Sequence, residues 1–239
     1  MLDFDRFTYL TFDCYGTLID WEQGILAALR PVLDRHGIAL SDDAALEVYG
    51  ELESAAEHGP YRPYRELLAT VMDGFGERLG FAPAADEREA LAVSVGDWPP
   101  FPDTVEALQT LARRFQLAIL SNIDDDLFAG SARRLGVTFA AVVTAEQVGR
   151  YKPDPRNFRA LLTRLDVAPD RVLHVAQSLF HDIAPAHALG LTTVWINRRH
   201  DRAGFGATPP ATAHPDLEVT DLATLARMAV ADEMGKEAR

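Results

Sequence analysis

One short stretch, residues 8–17, limits the folds open to this chain more than any other. A β-branched and aromatic run over residues 8–12 is typical of a buried strand, and it stops abruptly at Asp13. Gly16 and Thr17 then suit a tight turn. Ligands of open α/β sheets bind just beyond the carboxyl ends of the strands, so Asp13 is predicted to lie at a binding edge. The alternative for an isolated aspartate is an Asx turn or a helix cap.

Strand and helix patterns alternate beyond a proline cluster at residues 98–102. This alternation predicts a parallel sheet with helices on both faces, a doubly wound α/β core. The predicted strands are 117–120, 139–144, 172–176 and 192–196, and the predicted helices are 105–115, 124–135, 155–165, 182–189 and 222–228. Residues 198–215 form a long loop rich in Gly, Ala and Pro, which is predicted to be mobile or to cover the site.

The segment between the first strand and this alternating region has only helical spacing. Its predicted helices are 21–36, a second one that follows a cap at residues 41–43 and runs through 57, a third one around 67–75, and 86–95. We therefore predict a core domain made of residues 1–19 and 98–239, with residues 20–97 inserted as a helical cap domain. An insertion at that point lies over the carboxyl ends of the strands, where it can exclude water from chemistry.

The charge and cysteine content exclude several classes of protein. The formal net charge is -13, which opposes binding to nucleic acid and to anionic membrane surfaces. An anionic substrate therefore needs a locally positive site. Cys14 is the single cysteine, so no internal disulfide forms and a reducing compartment is expected. With no signal peptide or membrane-length apolar run in the sequence, we expect a cytoplasmic protein.

Polar groups recur where the predicted strands end, and together they predict a site. They are Asp13 with Thr17, Ser121 with Asn122, Lys152, and Asp182 beside Ser178. Each group has an ordinary structural alternative: a helix cap for the Ser-Asn pair, a solvated surface position for the lysine, and a first-turn charge for the second aspartate. Their order after four strands of one sheet favours convergence.

Four ordered motifs in this chain resemble those of the haloacid dehalogenase superfamily: "FDCYGTL", "ILSN", "YKPD" and "SLFHDIAPAHALG". The "DCYGTL" motif with Tyr15, together with "WINR" at 195–198, resembles the type II 2-haloacid dehalogenases in particular. This resemblance implies a Rossmann-like core with a helical cap and assembly as a homodimer. It also implies a small anionic substrate, with hydrolytic removal of halide from short 2-haloacids.

The residue types are consistent with that chemistry. A carboxylate such as Asp13 can attack carbon or phosphorus to form an ester, and the ammonium of Lys152 favours its ionised form. Asp182 completes the predicted catalytic set. The predicted substrate-binding residues are Tyr15, Thr17, Ser121, Asn122, Gln177, Ser178 and Arg62. Phosphatases of the superfamily carry a second aspartate where this chain has Tyr15, and that acid protonates the departing alkoxide. A halide leaves unprotonated, so the tyrosine favours carbon–halogen cleavage.

We also predict that no metal or other cofactor is required. Magnesium prefers several hard oxygen ligands, and the superfamily's phosphatases draw them from the first and fourth motifs. Here Tyr15 and Gln177 replace two of those acids, leaving Asp13 and Asp182.

Several positions depart from the type II pattern. Gln177 and Leu179 stand where a serine and an asparagine are usual, and Phe158 stands where a tyrosine is usual. The cap arginine that receives the halide has no counterpart between residues 36 and 62, so Arg62 or Arg65 is the predicted substitute. His181 is either an aid to water activation or a structural residue. The alternatives kept open are a magnesium-dependent phosphatase acting on a small metabolite, a ring-opening hydrolase of the azetidine-carboxylate type, and a non-catalytic binding protein.

Overall fold

The computed structural model describes residues 2–204 and 206–237, and a parallel sheet lies at its centre. Its strands are β1 (Tyr9–Phe12), β2 (Gln116–Ser121), β3 (Ala141–Thr144), β4 (Val172–Ala176), β5 (Thr192–Ile196) and β6 (Leu217–Val219). Their order across the sheet is β3-β2-β1-β4-β5-β6, and every neighbouring pair is parallel. The chain therefore winds outward from β1 in one direction and then from β4 in the other.

Helices cover the sheet and also fill the segment between β1 and β2. They are α1 (Trp21–Arg35), α2 (Asp42–Glu57), α3 (Tyr64–Leu79), α4 (Ala85–Ser94), α5 (Thr104–Leu111), α6 (Asp125–Leu135), α7 (Ala145–Val148), α8 (Pro155–Leu165), α9 (Ala184–Ala188) and α10 (Leu222–Glu237). None of these described helices is both long and apolar enough to cross a membrane.

Both faces of the sheet are buried, as expected for a doubly wound fold. Along β2, Leu117 and Ile119 point into one apolar cluster, whereas Ala118 and Leu120 point into another on the opposite face. Since side chains alternate along a strand, one short apolar run supplies both layers of the core. The predicted α/β class with a Rossmann-like core is confirmed.

The helical segment is joined to the sheet by two connections that run side by side. The Asp20 N–H donates to the carbonyl of Pro99 at 2.8 Å, and Ile19 forms an isolated antiparallel bridge with Pro100. Helices α1 to α4 lie between these connections, and residues 20–97, all of them described, contain no strand. The division into a core of residues 1–19 and 98–239 and a cap of residues 20–97 stays a prediction.

Some predicted elements differ from the observed ones at their ends. The helix predicted over 182–189 is a turn with π-type hydrogen bonds at Leu179–Ile183, followed by the short α9. Pro185 lies in the first turn of α9, where its missing N–H does no harm. The sequence does not reveal strand β6 and helix α7, because three or four residues are too few to make a periodic pattern. Helix α10 continues to Glu237, beyond the predicted end at Met228.

Candidate active site

A cleft opens beyond the carboxyl ends of β1, β2 and β4, where the direction of winding changes. This is the position at which open α/β sheets bind ligands. The cleft is small, since the free space between its walls is about 420 Å³ even when its open mouth is included. The core supplies its floor, while Trp21, Glu53 and Tyr64 from helices α1, α2 and α3 supply the opposite wall.

The floor of the cleft contains an ammonium held between two carboxylates. Lys152 Nζ lies 2.8 Å from Asp13 Oδ1 and 2.8 Å from Asp182 Oδ1. It also donates to the carbonyl of Leu120 at 3.0 Å. An ammonium has three N–H groups, so every one of them has an acceptor. The lysine side chain is only 2 % exposed, and the structure thus brings together the three predicted catalytic residues.

Burial and charge act against each other on these groups. Burial raises the pKa of Asp13, and the adjacent Lys152 ammonium opposes that rise. Burial would also raise the pKa of Asp182, but Lys152 and the hydrogen bond from His174 hold it below its usual value. The two carboxylates outweigh the desolvation of Lys152 and raise its pKa, so the lysine stays charged. Both oxygens of Asp13 accept hydrogen bonds, as an ionised nucleophile would.

Thr17 has a different role from the one predicted. Its hydroxyl donates to Asp13 Oδ2 at 2.7 Å and accepts the backbone N–H of Gln177 at 2.9 Å. Its single proton is therefore used on the aspartate, and Thr17 orients Asp13 instead of binding substrate. The Gln177 side chain lines the cleft and accepts a hydrogen bond from Thr208, a residue of the long loop after β5. That loop therefore covers part of the site.

Ser121 and Asn122, at the end of β2, both line the cleft but differ in how their polar groups are used. The Asn122 amide accepts the Lys152 backbone N–H at 2.7 Å and donates to the Lys152 carbonyl at 3.2 Å and to Glu57 Oε1 at 3.0 Å. It positions the lysine segment. Ser121 Oγ is buried and has no hydrogen-bond partner among the described residues. It is the hydroxyl available to a ligand.

Behind Asp182 lies a polar network that the sequence did not predict. His174 on β4 is fully buried, with Nε2 3.0 Å from Asp182 Oδ1 and Nδ1 2.9 Å from Thr11 Oγ1. Phe158, at the position where a tyrosine is usual, packs edge-on against the His174 ring. A histidine within an otherwise apolar strand was the available signal, since a buried imidazole needs polar partners. Thr11 and Phe158 therefore fix the His174 ring, and the His174 ring holds the Asp182 carboxylate in place.

The wall opposite the nucleophile carries acidic groups that the sequence analysis missed. Glu53 and Glu57, one turn apart on α2, line the cleft, and Glu57 Oε2 lies 3.3 Å from His181 Nε2. Burial tends to lower the pKa of His181, but Glu57 and Asp182 raise it above its usual value. The Ser178 hydroxyl accepts the His181 backbone N–H at 2.9 Å. The sequence shows the spacing of the two glutamates, but it does not show which side of the helix faces the cleft.

Tyr15 lines the cleft, although its hydroxyl is directed elsewhere. The hydroxyl oxygen lies 2.9 Å from Ser131 Oγ, and the ring packs edge-on against Trp98 at 5.7 Å between centroids. Burial raises the pKa of the Tyr15 phenol well above its usual value. The phenol therefore stays protonated and contributes an aromatic surface at this position.

The structure does not bring either predicted cap arginine to the cleft. Arg62 is exposed, donates to the hydroxyl of Thr70 at 3.2 Å and does not line the cleft. Arg65 forms an exposed ion pair with Asp126. Arg65 points to solvent because the inward positions of α3 are taken by apolar and aromatic side chains, and Arg62 lies in the exposed segment that precedes this helix. The prediction of Arg62 as a substrate-binding residue is therefore wrong for this structure.

The residues present do not fit a divalent metal ion well. Among the described residues, no group of three or more His, Cys, Asp or Glu side chains is spaced to hold one. Tyr15 and Gln177 occupy two of the expected ligand positions, and the Lys152 ammonium already lies between Asp13 and Asp182.

Comparison with known proteins agrees with this geometry. A family model for haloacid dehalogenase-like hydrolases matches residues 8–190. The chain belongs to this family. It is therefore a hydrolase, and the four motifs that suggested the resemblance lie within the matched region.

Relatives within the haloacid dehalogenase-like hydrolases differ in activity. The chain is 30 % identical over 204 residues to (S)-2-haloacid dehalogenase 1 of Pseudomonas sp. (strain CBS-3), covering 83 % of this chain and 88 % of that protein. It is 33 % identical over 175 residues to a phosphoserine phosphatase of Thermus thermophilus, covering 70 % and 65 %. A crystal structure of a defluorinating L-2-haloacid dehalogenase superposes with a TM-score of 0.79 at 23 % identity, covering 94 % and 95 %. Family membership therefore leaves the substrate class open.

Asp124 of the core forms hydrogen bonds to the inserted helical segment, and we expect Asp124→Ala to destabilise the protein by removing them. Its carboxylate accepts the backbone N–H groups of Tyr64 and Arg65, at 2.7 and 3.0 Å, which caps the first turn of α3. Loss of such a cap costs about 1 kcal/mol, so we expect a fall of that size in the free energy of unfolding in urea. Asp126→Ala, which removes only the exposed pair with Arg65, should change it by less than about 0.5 kcal/mol. Equal effects of the two substitutions would contradict the capping role.

Proposed function

We propose that this chain is a metal-independent hydrolase that removes halide from C2 of a short 2-haloacid through an ester on Asp13. The observation that carries the proposal is the state of Asp13 itself. It faces the cleft as a carboxylate between Lys152 and Thr17, while position 15 offers a partly buried tyrosine in place of a second carboxylic acid. A nucleophile is present, and the acid that a phosphate-ester leaving group needs is missing at that position.

The proposed reaction has two steps. An oxygen of Asp13 attacks C2, the carbon–halogen bond breaks with both electrons going to the halide, and C2 becomes bonded to the carboxylate as an ester. Water then attacks the ester carbonyl, and cleavage returns Asp13 and releases a 2-hydroxy acid and a proton. Lys152 offsets the negative charge that develops on the carboxyl group. Asp182 Oδ2 is buried, has no described partner, and can accept a hydrogen bond from the attacking water.

Labelled water provides the test of this route. In H₂¹⁸O with enzyme in excess over 2-chloropropionate, the hydroxyl oxygen of the first-turnover product should be ¹⁶O, because it comes from Asp13. The Asp13 peptide should gain about 2 Da in mass spectrometry, and a peptide containing Asp170 should not. First-turnover product that carries ¹⁸O would indicate direct attack by water. Failure to release halide from any short 2-haloacid would exclude the proposed reaction.

A ring-opening reaction of the azetidine-carboxylate type is a second candidate, and one feature of the cleft favours it. A nitrogen leaving group needs a proton, and Glu53 is a buried carboxyl. Burial, and to a smaller extent the charge of Glu57, raise the pKa of Glu53 to about 8. Such a group remains protonated at neutral pH and lines the same cleft.

A homodimeric assembly, a cytoplasmic location and independence from any cofactor stay predictions.

A further inference from the structure

The cap wall of the cleft is acidic in a way that a purely anionic substrate does not explain. Glu53 and Glu57 project from the same side of α2, four residues apart, toward the cleft that holds Asp13. Their side chains are 4 % and 9 % exposed. Carboxyl groups are rarely buried without a partner, because removing their charge from water is costly.

The basic side chains that line the cleft already face carboxylates of the protein. The three N–H groups of Lys152 are used on Asp13, Asp182 and the Leu120 carbonyl. His181 faces Glu57 at 3.3 Å, so its charge is offset there. Among the described residues that line the cleft, these are the basic groups, since no arginine reaches it.

The charges of the cleft sum to a negative value before any ligand enters. Asp13 and Asp182 carry two negative charges against one positive charge on Lys152, and Glu57 offsets any positive charge on His181. Glu53 adds a further negative charge once it ionises. A substrate with a carboxylate alone makes this balance worse, whereas an ammonium on the substrate improves it.

Glu53 is held in a form that can receive such a group. The hydroxyls of Tyr49 and Tyr64 both donate to its Oε1, the first at 3.0 Å. No described residue donates a hydrogen bond to Oε2, and the side chain lines the cleft. On the core side of the same cleft, the buried Ser121 Oγ has no described partner. Two unused polar groups therefore lie on opposite sides of a small cavity.

We propose that Glu53 binds a protonated amine of the substrate, and that the substrates are small amino acids with a leaving group on carbon. This inference rests on the proposed function for the reaction at Asp13. Ser121 Oγ and the neighbouring backbone then serve the carboxylate end of the same molecule. The ammonium can donate up to three hydrogen bonds, one of them to the free oxygen of Glu53.

A matched pair of substrates tests the inference. The compounds 4-amino-2-chlorobutyrate and 2-chlorobutyrate have the same reacting bond and carboxylate and differ in the amine. With enzyme-free blanks subtracted, kcat/KM for chloride release should favour the amino compound at least tenfold. Glu53→Gln should reduce this preference about tenfold, mainly through the amino compound. Glu47→Gln, an exposed glutamate on the same helix, should leave the preference unchanged.

Binding of unreactive analogues separates this inference from the reaction. In calorimetry with the unaltered protein, 4-aminobutyrate should bind at least tenfold more tightly than butyrate. An ammonium favours the ionised form of Glu53, whose pKa in the free cleft is about 8, so affinity should rise as the pH rises from 6 toward 8. Glu53→Gln should lose this pH dependence.

The outcomes can be told apart. Equal or weaker binding of 4-aminobutyrate, together with equal or faster turnover of 2-chlorobutyrate, would overturn the inference and leave the proposed dehalogenation standing. Preferential binding of 4-aminobutyrate with no chloride release from either haloacid would support amine recognition and reject the proposed reaction. Circular dichroism and thermal unfolding of Glu53→Gln establish that the variant is folded, and the comparisons on unaltered protein do not depend on it.

Discussion

Asp13→Asn is expected to stop turnover, with kcat falling by about 10⁴-fold or more. The amide keeps the size of the carboxylate and one oxygen for Lys152, but it is not a nucleophile toward carbon. Steady-state halide release and single-turnover assays with 2-chloropropionate measure the effect. Because the amide oxygen still accepts from Lys152 and the amide NH₂ can donate to the hydroxyl oxygen of Thr17, the fold should persist.

The matched control for this variant is Asp170→Asn, which makes the same change at an exposed turn before β4. It should retain full activity. Mass spectrometry of the Asp13→Asn protein is needed, since slow deamidation would regenerate the aspartate. Sustained halide release from a preparation whose mass shows no aspartate at position 13 would refute an ester at this position.

Lys152→Met is expected to have the largest effect on stability, because it removes the cation between two buried carboxylates. Breaking a buried ion pair by deleting one partner costs about 3–5 kcal/mol, so we expect the free energy of unfolding at pH 7 to fall by about 3 kcal/mol. Activity should be lost as well, since Asp13 would no longer be held ionised. Urea denaturation followed by circular dichroism measures the first effect.

The pH dependence of this defect has a definite sign. Without the ammonium, burial raises the pKa of both Asp13 and Asp182, so the folded variant is favoured by protonation at low pH and disfavoured as the pH rises through those values. In the parent protein, the lowered pKa of Asp182 contributes stability above its unfolded pKa, which is lost on acidification. The gap in stability between parent and variant should therefore narrow from pH 7 to pH 4.5.

A double variant supplies the control for Lys152→Met. Adding Asp182→Asn removes one of the two carboxylates left without a cation, so the double variant should be more stable than the single one by about 1 kcal/mol or more. A double variant that is less stable than Lys152→Met would show that lost packing of the lysine stem, and not buried charge, causes the defect.

The sequence was sufficient for strands β1 to β5 of the sheet and for the floor of the cleft. Asp13, Lys152 and Asp182 follow strands or strand-associated loops of one parallel sheet, and the carboxyl ends of such strands meet at one edge. Their convergence therefore depends only on topology. The same reasoning could not assign the Thr17 hydroxyl to Asp13, because that bond depends on how tightly the turn closes.

The cap wall depended on information that periodicity does not hold. The inward face of α2 carries Tyr49, Glu53 and Glu57, and which face turns inward is set by how the whole insert packs over the sheet. The sequence predicts Arg62 or Arg65 as the cap residue that receives the halide. In the structure, acidic groups line the cap wall of the cleft instead, and both arginines lie at the surface.

His174 lay in a strand that the sequence located correctly, yet its role was missed. An isolated histidine among apolar residues is compatible with packing alone. Its function became visible only through register, since Thr11 on β1 and His174 on β4 are paired neighbours that point to the same side. Pairing between strands distant in the sequence is the kind of information that a single chain does not display.

The adjacent connections at Ile19–Asp20 and Pro99–Pro100 have a consequence for how this enzyme can diversify. Because the polypeptide leaves the sheet and returns to it at adjacent positions, the intervening helices form an insert that can be replaced without disturbing the strand ends. Substrate preference and bond-breaking chemistry can then change independently during evolution. Exchanging the helical insert between this protein and a related hydrolase should transfer the substrate preference, while the attacking aspartate remains that of the recipient.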